Sequence, residues 1–141
     1  MNVYFSCSIT GGRQDQPVYQ SIVDALVADG HIVPTAHLSD KNILSLETVI
    51  DPCDVYKRDV AWVKNCDALV AEVTTPSHGV GYEIALAESL GKPVFCCYLL
   101  GSRVSKMILG NTSPRFVTCG YSSTEDVIQK MKVFLKSIAR E

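Results

Sequence analysis

No apolar run in the chain approaches the ~18 residues that a membrane-spanning helix needs, so a membrane span is not expected. Lysines and arginines form no stripe or cluster, and the net charge is −2, which argues against nucleic acid as the main partner. Six cysteines are present (Cys7, Cys53, Cys66, Cys96, Cys97, Cys119), yet none forms a Cys-x-x-Cys pair and no histidine cluster stands ready to complete a zinc site. They read as free thiols, mostly inside apolar segments, in a reducing compartment. No bound metal or cofactor is expected. There is no Gly-x-Gly-x-x-Gly and no Gly-Lys-Ser/Thr, so neither common nucleotide fingerprint applies. His37 and His78 have no Ser or Cys nucleophile motif around them, and a catalytic triad is not expected. The first residues read as a strand, without a signal-peptide layout. The expected location is therefore cytoplasmic, with a nuclear one also open.

What is present is a globular composition: 47% hydrophobic and 20% charged over 141 residues, read as one domain spanning 1–141. A domain of this size buries ~68–70% of its unfolded surface and needs no covalent staple. Short apolar runs at 2–7, 31–35, 67–73, 93–100 and 114–119 read as strands. Helical spacing occupies 17–29, the stretch from Pro52 to about Cys66, 84–90, 102–109 and 124–139. Asp51-Pro52 is a strong helix start, with Asp at the N-cap and Pro at the first helical position. The stretch 36–47 is polar and long for a connection, and suggests a functional loop or a short helix. Strict alternation of strand and helix implies an α/β fold, a doubly wound parallel sheet of the flavodoxin or Rossmann-like kind. Five strands in this length suggest the order 2-1-3-4-5 and a ligand crevice between the first and third strands.

Two loops land at that crevice. The first, Ser8-Ile9-Thr10-Gly11-Gly12-Arg13, offers hydroxyls, closely approaching backbone N–H groups and a guanidinium. The second runs from Thr74 to Glu83 and carries Ser77 and Gly79. Together they suit a phosphate monoester. Glu83 is expected in the first turn of the helix after the loop, with its carboxylate over the crevice. The same residues would equally serve a tight turn and a helix dipole. Asp59 lies on the apolar side of its helix with Val55 and Val63, where an acid lines a cavity or meets a charge partner. Two carboxylates in unequal surroundings are what glycosidic cleavage uses. Tyr4 reads as a strand aromatic within reach of either acid. Asp15 and Glu72 read as a solvated loop residue and a strand end.

The segments Tyr4–Arg13 and Ala71–Glu83, with Asp59-Val60-Ala61-Trp62 and 103–108, together resemble the 2'-deoxynucleoside 5'-phosphate N-hydrolases of the Rcl type, relatives of the nucleoside 2-deoxyribosyltransferases. The resemblance runs over nearly the whole chain, and Pro76-Ser77-x-Gly79-Val80-Gly81-Tyr82-Glu83 is its most specific part. It implies hydrolysis of the N-glycosidic bond of a (2'-deoxy)nucleoside 5'-monophosphate, giving free base and sugar 5-phosphate through a covalent glycosyl-enzyme on Glu83. It further implies that Asp59 supports departure of the base and that Tyr4 orients the nucleophile. Ser8, Arg13, Ser77 and Gly79 are implied around the sugar phosphate, with Ile9, Thr10, Gly11 and Gly12 in the same loop. His37 and Val55 are implied near the base. Ser105 and Met107 are implied to reach the neighbouring subunit's site, hence a homodimer. The family loop usually reads Gly-Ser-Ile-Arg-Gly-Gly-Arg. This chain has Cys7 and Thr10 at the first Gly and first Arg, and the change to Thr10 removes a bidentate phosphate donor. Deoxyribosyl transfer between bases and cleavage of ribonucleotides such as CMP are alternatives within the same chemistry. A nucleotide-binding module without turnover is the alternative of a different class.

Overall fold

The computed structural model describes residues 1–140. The chain runs β1 (Val3–Ser6), α1 (Gln16–Ala28), a 3-10 turn (Ala36–Ser39), α2 (Ile43–Glu47), α3 (Pro52–Asn65), β2 (Ala68–Glu72), α4 (His78–Ser89), β3 (Val94–Leu99), α5 (Lys106–Leu109), β4 (Phe116–Tyr121) and α6 (Thr124–Ile138). The strands form one parallel sheet in the order β1-β2-β3-β4.

The sheet has four strands, not the five expected. Segment 31–35 contributes only a single parallel bridge, Ile32 to Asn2. Two hydrogen bonds make it, Val3 N–H to the Ile32 carbonyl at 2.8 Å and Ile32 N–H to the Met1 carbonyl at 2.9 Å. Pro34 then has no N–H to extend the ladder, and the chain turns at Thr35 into the 3-10 segment.

Because alternate residues of a strand face opposite ways, the sheet sorts its side chains into two cores. Val3, Phe5, Val70, Phe95 and Cys97 pack with α1 and α6 on one face. Tyr4, Leu69, Ala71, Val94 and Cys96 pack on the other with Val63 of α3 and Val80 and Ile84 of α4. The helix after β1 thus covers one face and the helix after β2 the other, which leaves a crevice between the carboxyl ends of β1 and β2. The loops touch there. A Cβ on Gly11 would come within 2.4 Å of the Pro76 carbonyl oxygen, and Gly12 has φ +139, so glycine is required at both positions.

Three elements differ in extent from the sequence reading. α4 starts at His78, so Glu83 sits in its second turn rather than its first. The Ser77 side chain caps it by accepting from Val80 N–H at 3.4 Å, and Val80 and Ile84 are buried against the sheet, which outweighs the weak helix preference of Gly79 and Gly81. α5 shrinks to one turn behind a Ser105 cap, and β4 starts at Phe116. Asp51 and Pro52 start α3 as expected, with the Asp51 carboxylate accepting from Cys53 N–H at 2.8 Å.

Candidate active site

Tyr4 and Ser6 are two residues apart on β1 and therefore share a face. On that face α4 presents Glu83. Tyr4 Oη donates to Glu83 Oε1 at 2.8 Å, and Ser6 Oγ donates to Glu83 Oε2 at 2.5 Å. Both carboxylate oxygens therefore accept, the arrangement an ionised carboxylate needs. Burial pushes the Glu83 carboxyl up to about 7; the Ser6 and Tyr4 hydrogen bonds pull it down, Asp59 adds to the rise, and Arg58 opposes it. Tyr4 is fully buried, and burial first and Glu83 second raise its hydroxyl far above the ordinary tyrosine range. It stays protonated and remains a donor.

A cavity of about 410 Å³ opens beside Glu83. Its walls come from four places: Cys7, Ile9 and Thr10 after β1; Leu38, Leu44, Thr48 and Ile50 around α2; Val55 and Asp59 on α3; Ser77, Gly79 and Val80 at the start of α4. Its lining combines apolar side chains with the Glu47, Asp59 and Glu83 carboxylates and the α4 N-terminus, whose first N–H groups favour an anion. Asp59 and Glu83 also border a smaller cavity of about 220 Å³, rimmed by the exposed Tyr56 and Tyr82. Asp59 accepts from Arg58 Nε at 2.8 Å.

The structure thus brings Glu83, Asp59, Tyr4, Ile9, Thr10, Val55, Ser77 and Gly79 together. It places the others elsewhere. Arg13 is folded into its own loop, donating from Nη1 to the Ser8 carbonyl at 3.0 Å and from Nη2 to the Asp40 carbonyl at 2.7 Å, with the guanidinium over the Tyr19 ring. Ser8 is buried, and its Oγ has no hydrogen-bond partner among the described residues. Gly11 lies against the Pro76 carbonyl and Gly12 against Gln14, and neither lines the cavity. His37 stands behind the wall, 3.7 Å from Glu47 and edge-on to Trp62. Ser105 and Met107 line a separate cavity of about 830 Å³ between α4 and α5, which shares Ser77 and Val80 with the first; Met107 is 83% exposed.

Sequence reasoning missed three residues of the site. Ser6 was findable from the two-residue repeat that puts it on the face of Tyr4. Arg58 and Glu47 were findable only as charges flanking Asp59 and the cavity loop. Glu72 is the last residue of β2, the strand end it was read as, and it is fully buried on the opposite face of the sheet. Among the described residues no group of three or more His, Cys, Asp and Glu is placed to hold a metal ion, and no helix is long and apolar enough to cross a membrane.

A parallel α/β sheet with a hydroxyl-anchored glutamate, a second acid and a cavity of about 410 Å³ above the carboxyl ends of β1 and β2 defines the class: an α/β protein with an acidic cavity at that edge of its sheet. Residues 3–117 match the family model described as nucleoside 2-deoxyribosyltransferase, and the chain belongs to that family. It is 41% identical over 112 residues to a protein of Methanococcoides burtonii provisionally named 2'-deoxynucleoside 5'-phosphate N-hydrolase 1, covering 79% of this chain and 92% of that one. It is 40% identical over 129 residues to the 5-hydroxymethyl-dUMP N-hydrolase of Mus musculus, covering 88% and 74%. Its fold matches the solved CMP N-glycosidase of Clostridium botulinum with a TM-score of 0.72 at 19% identity, over 94% of this chain and 99% of that one.

Proposed function

We propose that the protein hydrolyses the N-glycosidic bond of a (2'-deoxy)nucleoside 5'-monophosphate, releasing the base and a (deoxy)ribose 5-phosphate. The observation that carries this reading is the Glu83 carboxylate, held on both oxygens by Tyr4 and Ser6 and aimed at a cavity shared with Asp59. The names of the relatives, N-hydrolases of deoxynucleoside monophosphates, support it. In the first half-reaction a Glu83 oxygen attacks C1', and the C1'–N bond breaks as the base leaves with its electron pair and takes up a proton. In the second, water attacks C1', the glycosyl ester breaks, Glu83 is restored as a carboxylate, and the water's proton passes to a base at the site. Asp59 stabilises the cationic sugar in the transition state of each half-reaction; it gives the leaving base its proton in the first and takes the water's proton in the second. The 5'-phosphate lies at Ser77, Gly79 and the α4 N-terminus, with the 8–13 loop beside it. The base fills the slot between Leu38, Leu44, Ile50 and Val55.

A homodimer is part of the same proposal. Ser105 and Met107 do not reach the Glu83 cavity of their own chain, and the exposure of Met107 supports their being offered to a neighbour.

The test is base release from a panel of dNMPs, NMPs and unphosphorylated deoxynucleosides, read by chromatography. Release from dNMPs is the expected result. Release from NMPs alone moves the substrate to ribonucleotides. Release only with an added acceptor base means transfer, and silence across the panel leaves a binding module.

A further inference from the structure

Arg58 is the most heavily committed side chain near the site. It lies one turn before Trp62 on α3, and its guanidinium packs over that indole with Cζ 5.0 Å from the ring centroid. The stacking bends the side chain across the helix surface. Nε then meets Asp59 Oδ1 at 2.8 Å, although adjacent helix residues do not ordinarily face each other. The outer fork meets Glu47 of α2, Nη1 to Oε1 at 3.1 Å and Nη2 to Oε2 at 3.4 Å. His37 Nε2 lies 3.7 Å from the same Glu47 oxygen, Oε1. Glu47 and Asp59 both line the 410 Å³ cavity, and α2 also supplies Leu44 to its wall.

We propose that Arg58 is a positioning residue for the reaction: its Nε fixes the Asp59 carboxylate, and its fork clasps Glu47 and so holds the α2 wall against the base. The assignment rests on the hydrolase reading above. Its chemistry follows from the geometry of the guanidinium. Only a planar fork can serve a side-on carboxylate, an end-on carboxylate and an aromatic face at once, and a lysine has one nitrogen for all three. The two carboxylates it holds act on different quantities. Glu47 shapes a wall of the binding cavity, and Asp59 faces the bond that breaks. Arg58 also supplies a cation to a cluster otherwise made of acids. The groups facing Glu83 are Tyr4 and Ser6 from β1 and Asp59 and Arg58 from α3, with Glu47 of α2 and His37 of the 3-10 turn behind them.

The experiment measures kcat and KM from pH 5 to 9 for the full chain and for E47Q, R58K and R58Q, with melting temperatures as a folding control. For E47Q, KM rises roughly tenfold, as expected for loss of a charge-assisted pair, and kcat changes little. For R58Q, KM rises as much and kcat falls up to ~100-fold, the scale of a misplaced catalytic group. Its acid limb moves to higher pH, because Asp59 then faces Glu83 uncompensated. R58K keeps the limb in place, since the charge remains, but loses kcat with the fork. If R58Q does not fold, R58K and E47Q carry the test. An active wild type with wild-type kinetics in R58K, or with R58Q indistinguishable from E47Q, overturns the role of Arg58 alone. A wild type silent on every nucleotide overturns the hydrolase reading and this inference with it.

Discussion

Two carboxyl groups in this protein are pushed to about 7 chiefly by burial, Glu83 and Glu72, and they sit on opposite faces of the same sheet. Each is met by hydroxyls. Glu83 has Tyr4 and Ser6; Glu72 accepts from Thr74 Oγ1, from Thr74 N–H at 3.3 Å and from Tyr121 Oη at 3.0 Å. What separates them is access. Glu83 borders two cavities and shares them with Asp59, whereas Glu72 is fully buried and lines none of the cavities described. A raised pKa therefore marks desolvation, and only an open cavity with a second functional group turns it into a candidate for chemistry. Glu72 does structural work: Thr74, which donates to it, in turn accepts from Leu99 N–H at 2.9 Å and so ties the end of β2 to β3 below the loop that carries Ser77.

Neutralising each acid in turn should separate the two most sharply. E83Q should lose turnover by roughly 10⁴-fold or more while keeping nucleotide binding, as expected for loss of a nucleophile. E72Q should leave kcat within about twofold. Equal losses in the two variants, measured by base release, would erase the distinction between them.

The hydroxyls sharpen it at the next level. Y4F and S6A should each lower kcat by ~10–100-fold, the worth of one hydrogen bond to a charged group, and each should move the acid limb upward because a donor that favours the ionised carboxylate is gone. In the wild type that limb should lie near pH 7, with the rate falling about tenfold per unit below it if Glu83 acts as the anion. A limb near the ordinary glutamate value would mean that the ionised group is not Glu83.

The smallest effect is on stability. The folded pKa of Glu72 lies above its usual value of 4.5, so its contribution is fully present below about 4.5 and is lost as pH rises through about 7. E72Q should therefore be stabilised relative to wild type at pH 8 by at most roughly 3 kcal/mol, with no such gain at pH 4.5, in urea unfolding followed at both values. A gain that does not depend on pH would show that packing, not charge, decides the site.

The chain's own pattern determined the fold class, the element order around α3 and α6, and where two polar loops meet beside the candidate site. Apolar runs of strand length alternating with helical spacing admit little but a parallel sheet covered on both faces, and Gly11-Gly12 with Ser77 can meet only where that topology brings two loops together. Local chemistry also set the starts of helices, because an Asp51-Pro52 or a Ser123 cap is satisfied within a few residues of itself. Tertiary structure decided the rest. Whether 31–35 extended into a strand depended on how many partners it found along β1 before Pro34, and it found one. Whether Arg13 faced a phosphate or its own loop depended on the Ser8 and Asp40 carbonyls, the latter 27 residues away. The difference between Glu83 and Glu72 depended on which face of β2 and which side of α4 remained open. Burial and charge pairing are properties of assembled layers, and no local spacing encodes them.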